Sequence, residues 1–274
     1  MNTLQKTAIA AAISGLFAPA VFAQAAPAAA PEPSPVTANV TIVNDYRYRG
    51  ISQSNFQPAI QGGFDYAHES GFYIGNWNSS ISWITDQYGA VNGGGAKSAP
   101  VEMDFYAGFK KELIAPGFAS DFGVLQYYYP MQGTMTTSPN TTELYVAQNF
   151  TLGPVTGFAK FSYAVTTLFG FYGSTGSNYS DLTVNYDTGI WGITANAHVG
   201  YQAFAGNDAS GASNGTLYSY TDWKLGLTKD LGAGLSVSAA YIDTNAKNSS
   251  WTFPNTSSKN LGGATGIVSL TKTF

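Results

Sequence analysis

From Val36 onward the chain repeats one plan: about ten residues in which apolar and polar side chains alternate with a period of two, then a cluster of turn residues. In an extended strand that period sends successive side chains to opposite faces. The first stretch puts Val36, Ala38, Val40, Ile42, Tyr46 and Tyr48 on one parity and Thr37, Asn39, Thr41, Asp45, Arg47 and Arg49 on the other. From Val101, the residues Val101, Met103, Phe105, Ala107 and Phe109 oppose Glu102, Asp104, Tyr106 and Lys110. Further on, Phe161, Tyr163 and Val165 oppose Lys160 and Ser162, and Leu182, Val184 and Tyr186 oppose Asp181, Thr183 and Asn185. Trp223, Leu225 and Leu227 oppose Tyr220, Asp222 and Lys224. The pattern predicts twelve strands, at 36–49, 57–68, 71–81, 101–112, 119–129, 141–151, 155–166, 178–187, 190–201, 218–229, 234–243 and 263–274. Three of them, 71–81, 119–129 and 234–243, carry aromatic or polar residues on both parities.

The connections sort by parity. Those after the even segments are short: HESG, IAPGF, TLGP, DTG and DLGAG. Those after the odd segments are mostly long and polar, for example SWITDQYGAVNGGGAKSAP and TNAKNSSWTFPNTSSKNLG; ISQSNFQ, after the first, is the brief one. Short turns at one end and long loops at the other are the asymmetry of an outer-membrane β-barrel with its short turns in the periplasm. A secreted β-sandwich, the competing all-β architecture, gives no reason for that sorting. The fold class expected is therefore an all-β, transmembrane, antiparallel up-and-down β-barrel of about 12 strands.

Composition sharpens this picture. Only 10% of the 274 residues are charged and 15% are aromatic, against about 25% charged in soluble domains. No cysteine is available for disulfides or thiolate metal sites, and a net charge of −4 offers no basic field to draw in nucleic acid. Beyond the N-terminus no apolar run approaches the ~20 residues of a membrane helix. The N-terminus itself reads as an export signal: Lys6 precedes the apolar TAIAAAISGLFAPAVFA, and Val21-Phe22-Ala23 or Ala23-Gln24-Ala25 suits cleavage. The domain plan is a signal peptide at 1–23, a Pro/Ala-rich leader at 24–35 and a barrel at 36–274, with the bacterial outer membrane as destination. The strand ending at Phe274, with Val268 and Leu270 on its parity, suits recognition by the barrel-assembly machinery, although Lys272 stands where an apolar residue is expected.

A Lys or Arg at the lipid midplane of a barrel costs roughly 2–4 kcal/mol. The charged parity is therefore assigned to the lumen, and Tyr46 and Tyr48 to lipid or its headgroup belt. The pore-lining set is Asp45, Arg47, Arg49, Asp65, Glu102, Asp104, Lys110, Glu143, Lys160, Asp181, Asp222 and Lys224. Such an interior serves either a water-filled passage tuned by charge or a salt-bridged plug. Arg47 and Arg49 are the candidates for a constriction, since a guanidinium keeps its charge and shape.

The stretch VTIVNDYRYRGISQSNFQPAIQGGFDYAHESGFYIGNW resembles the TorF-like porin family of proteobacterial outer-membrane proteins. The matching residues are Asp45, Tyr46, Arg49, Gly50, Ile51, Ser52, Gln53, Ser54, Pro58, Ala59, Gln61, Gly62, Asp65 and Tyr66, with Asn44 where the family tends to have Ser. VEMDFYAGFK, TELYVAQNF, NAHVGYQAF, YTDWKLGLTKDL and SLTKTF look like later parts of the same family. The resemblance implies a barrel that passes small hydrophilic solutes or ions. The alternative kept open is a non-conducting barrel whose long loops serve as a receptor or adhesin.

No G-x-S-x-G, H-E-x-x-H or phosphate-binding glycine motif is present, and Gly93-Gly94-Gly95 reads as a loop. His68 falls at a short turn, and His198 points inward beside Asn196 and Thr194. No enzymatic activity, catalytic residue, metal site or cofactor is expected.

Overall fold

The computed structural model describes residues 34–88, 100–130, 135–253 and 259–274. The expected signal peptide, most of the leader and Gly93-Gly94-Gly95 lie outside the described residues. In chain order the elements are β1 (Val36–Val43), β2 (Arg47–Tyr48), β3 (Ile51–Ser52), β4 (Ala59–Ala67), β5 (Phe72–Ser80), α1 (Trp83–Tyr88), β6 (Val101–Ala115), β7 (Phe118–Tyr128), β8 (Thr141–Leu152), β9 (Val155–Ala164), β10 (Asn178–Asp187), β11 (Ile193–Ala203), α2 (Asn214–Tyr218), β12 (Tyr220–Gly232), β13 (Leu235–Thr244), α3 (Asn248–Trp251) and β14 (Thr265–Thr273). Twelve of the strands close into an antiparallel barrel in sequence order, with β1 sealing against β14. β2 and β3 form a separate two-stranded sheet. Closure pairs every wall strand on both sides, so no edge is left to aggregate or to meet hydrocarbon unsatisfied.

Each predicted segment has a wall strand, including the three with mixed parity. All long connections leave one end of the barrel, and the short turns and both strand termini share the other. Among the described residues no helix is long and apolar enough to cross a membrane. The outer face is apolar, as at Ile42, Ile60, Phe64, Ile74, Leu144 and Leu225, all more than half exposed. The charges on the outward parity lie towards strand ends. Lys111, Lys229 and Lys272 stand by the short turns and Asp243 by the long connections. Lys272 breaks the apolar pattern of the last strand without entering the midplane: its Nζ reaches the Ala233 carbonyl and lies over the Phe274 ring.

The first segment departs from expectation. Instead of continuing as wall to Arg49, it leaves the wall at Val43. Asn44 holds the departure point, its N–H donating to the Val268 carbonyl and its Oδ1 accepting from the Val268 N–H. The chain then folds inward as the β2–β3 hairpin, with Arg47 opposite Ser52 and Tyr48 opposite Ile51. Arg49 (φ 48°) and Gly50 (φ 78°) form its two-residue turn, and positive φ at both positions is what such a tight hairpin needs. A Cβ on Gly50 would also stand 2.7 Å from Asp222 Cβ, so the turn lies directly on the opposite wall. The assignment of Tyr46 and Tyr48 to lipid is thereby corrected. Tyr46 is buried and Tyr48 half-buried inside the barrel, because period-two alternation describes an inserted hairpin as well as a wall strand.

Two apolar clusters accompany the hairpin. One joins Tyr46 to Trp77, Trp83, Ile84, Tyr127 and Tyr129 along the β4–β7 side. The other caps the long-connection end, where Phe171, Phe204, Tyr218 and Trp251 pack ring against ring over Ile51. The interior is thus charged and aromatic together, not uniformly polar.

Candidate functional site: the charged barrel interior

The hairpin is knitted by Asp45, whose Oδ2 accepts from Arg47 Nε (2.6 Å) and whose Oδ1 accepts from Ser52 Oγ (2.6 Å) and Ser54 Oγ (3.4 Å). Arg47 Nη1 donates to the carbonyls of Gly50, Leu261 and Gly263, which ties the hairpin to the last long connection. The Gln53 carbonyl accepts from the N–H groups of Ser82 and Trp83, which ties it to α1. Arg49 at the tip reaches across the lumen. Nη2 pairs with Glu143 Oε2 on β8 (2.7 Å), and Nη1 donates to Gln202 Oε1 on β11 (2.7 Å). Its guanidinium plane lies over the rings of Tyr48 and Tyr179. The motif Asp45, Arg49, Gly50, Ser52, Ser54 is therefore the framework of a hairpin folded into the barrel.

All twelve residues assigned to the lumen lie on the inner side of the barrel. Most are buried, and Arg49, Lys160 and Asp181 are half-buried. Seven of them, namely Arg47, Arg49, Asp104, Lys160, Asp181, Asp222 and Lys224, share one cavity of ≈ 70 Å³ beside the hairpin. It is large enough to hold a few water molecules. The other five lie apart from it. Asp45 is inside the hairpin. Glu102 accepts from the hydroxyls of Tyr46 and Tyr129 (2.6 Å each), and Glu143 pairs with Arg49. Nearer the short-turn end, Asp65 accepts from Tyr106 and Lys110 donates to Asn149.

On the β10–β12 side, His198 stands between two carboxylates, with Nδ1 3.0 Å from Asp181 Oδ1 and Nε2 2.8 Å from Asp222 Oδ1. Tyr179 donates to Asp222 as well. Lys160 faces Asp181 across the β9–β10 register and lies 4.0 Å above the Tyr145 ring, while Lys224 faces His198 across β11–β12. His68, by contrast, is exposed at its turn and bonds Ser70. The larger concavity of ≈ 630 Å³ opens on the outer wall among Phe122, Val146, Phe161 and Leu182. Its lining also takes in Lys160 and Asp181 of the inward parity.

Sequence reasoning missed Asp121, which is 1% exposed and accepts from Tyr73 (2.6 Å). It placed Tyr106 and Tyr220 on the inward parity but missed the buried Tyr73 and Tyr145. A signal was available: Gly75, Gly108 and Gly123 stand opposite Tyr106, Tyr73 and Tyr145 in the register. Each tyrosine ring lies flat over its glycine, and a Cβ on Gly108 would stand 2.5 Å from Tyr73 Cζ. Alternating glycine and tyrosine on one parity of adjacent strands thus marks phenols laid along the inner wall.

The chain is similar in fold to the KdgM porin, with a TM-score of 0.50 at 7% identity over 87% of this chain and 98% of that one. It is equally similar to the KdgM porin in complex with disordered oligogalacturonate, at 0.50 and 8% identity over the same shares. No curated protein matches the chain. A family profile described as a bacterial protein of unknown function, Gcw_chp, matches residues 26–274, and the chain belongs to that family.

Proposed function

We propose that the chain is an outer-membrane porin that passes small hydrophilic solutes or ions passively, with the β2–β3 hairpin as its restriction. The observation that carries this reading is the wall itself. A closed barrel with an apolar exterior holds all twelve assigned charges on its inner side, around one axis. The porin fold of the KdgM relatives and the resemblance of residues 45–66 to TorF-like porins support it. Arg49, bridged to Glu143 and Gln202, divides the lumen and leaves a space suited to water and small ions.

Planar-bilayer recording tests this. The wild type is expected to give small, ohmic single-channel steps. Replacing residues 46–56 by a short Gly/Ser linker is expected to raise conductance several-fold. If both proteins fold and insert yet neither conducts, the reading fails. The ring cluster of Phe171, Phe204, Tyr218 and Trp251 over the loop end then favours a surface receptor or adhesin.

A further inference from the structure

We propose that the short-turn rim of the barrel carries a binding site for an anionic phospholipid headgroup, formed on the outer wall by Lys229 and Lys272 with Trp191 beside them. The site lies outside the lumen, so it is independent of the porin reading.

The rim sorts its charges by face. Lys111 on β6, Lys229 on β12 and Lys272 on β14 take the outward parity, while Glu112, Asp187 and Asp230 take the inward one. Chain neighbours such as Lys229 and Asp230 therefore point to opposite sides of the wall. Each of the three acids is engaged at its own turn: Glu112 accepts from the Gly117 N–H (2.9 Å), Asp187 from Gly189 (2.9 Å) and Asp230 from Gly232 (2.8 Å). Among the described residues no ion pair joins an outward lysine to a carboxylate. Lys272 gives one of its donors to the Ala233 carbonyl.

Lys111 stands apart on β6, but Lys229 and Lys272 flank β13 from its two sides, a separation of about 10 Å. In the register they face Val237 and Leu235 of that strand, so apolar wall lies between the two ammonium groups. The same corner exposes Trp191 (80%), Leu231 and Phe274. Trp191 sits in the turn before β11, where Ile193 faces Lys229 and the Asp230 N–H donates to the Gly192 carbonyl. It takes φ 53° between Gly189 and Gly192, a conformation that bulky side chains rarely adopt.

A lysine at the edge of the hydrocarbon keeps its stem among acyl chains and its head among phosphates. An indole, with an apolar body and one N–H, favours the same depth. The occupant has to meet lysines and apolar wall together, which a lipid does with its phosphate and its chains. A zwitterionic headgroup brings its own ammonium to the phosphate. A phosphatidylglycerol headgroup brings only hydroxyls, and leaves the phosphate charge to the lysines.

The test uses the full chain in detergent, its folding checked by heat-modifiable gel migration. Native mass spectrometry then follows phosphatidylglycerol and phosphatidylethanolamine of matched acyl chains as competing probes. The wild type is expected to retain phosphatidylglycerol preferentially. A lysine near an anionic surface is worth about fivefold in affinity. Lys229→Gln and Lys272→Gln are each expected to weaken phosphatidylglycerol retention by about that factor, and about 25-fold together. Lys259→Gln removes the same charge at the long-connection end and is expected to change nothing. In mixed bilayers, brominated phosphatidylglycerol is expected to quench the emission that Trp191→Phe removes more than brominated phosphatidylcholine does. Equal retention of the two lipids by the wild type overturns the site, as does an undiminished preference in the double variant. An equal loss in Lys259→Gln overturns it too, since net charge alone would then explain the preference. If the double variant does not fold, the single variants decide. A barrel that conducts but shows no lipid preference refutes the site and keeps the porin reading; one that prefers phosphatidylglycerol and never conducts keeps the site and refutes the porin.

Discussion

The two halves of the lumen solve one problem in different ways. Along β4–β8 three buried carboxylates are met by phenols: Asp65 by Tyr106, Asp121 by Tyr73, and Glu102 by Tyr46 and Tyr129, while Asp104 Oδ1 has no hydrogen-bond partner among the described residues. Along β9–β12 they are met by bases, with His198 held between Asp181 and Asp222, and Lys160 and Lys224 on the facing registers. A phenol hydroxyl satisfies an oxygen's hydrogen bond but cancels no charge, whereas a base does both. The two halves therefore differ in field. Arg49 lies on the boundary, paired with Glu143 on the phenol side and bonded to Gln202 on the other.

The difference can be attacked where it is greatest. Arg49→Ala leaves Glu143 buried without its ion-pair partner. Removing one member of a buried pair costs roughly 3–5 kcal/mol, so urea unfolding in micelles should show a loss of that order, with larger conductance as the tip detaches. Asp222→Asn removes the charge to which His198 and Tyr179 bond; hydrogen bonds to charged groups are worth about 1.5–3 kcal/mol, and that is the expected loss. Glu102→Gln makes the same chemical change on the phenol side. A hydroxyl accepts as readily as it donates, so Tyr46 and Tyr129 can still satisfy an amide, and the expected cost is about 1 kcal/mol or less. Equal costs for the two amide substitutions, measured side by side, would break the comparison.

The wall was legible because the bilayer imposes a strict rule on it. Charge on one parity and apolar side chains on the other left little freedom at Phe105, Asp104, Leu225 or Lys224, and loop length by parity supplied the rest. The inside obeys no such rule. Tyrosine suits lipid and lumen alike, so the alternation through Tyr46 and Tyr48 did not say which its rings meet. The turn at Arg49-Gly50 was the clue that β1 had already ended. Asp121 was hidden because Leu125 and Tyr127 share its inward parity, packing against Trp77 and the hairpin where the expectation was polar. Pairings such as Arg49 with Glu143, 94 residues apart, follow from how the barrel closes and leave no local trace.

In chain order the hairpin comes after β1 and before every other wall strand. The filling is thus joined to the wall at β1 and β4, beside the seam that β1 makes with β14. Zipping β14 onto β1 then locks the contents in, and dislodging them afterwards would mean prising Arg47 from the carbonyls of Leu261 and Gly263 in the last connection to be laid down.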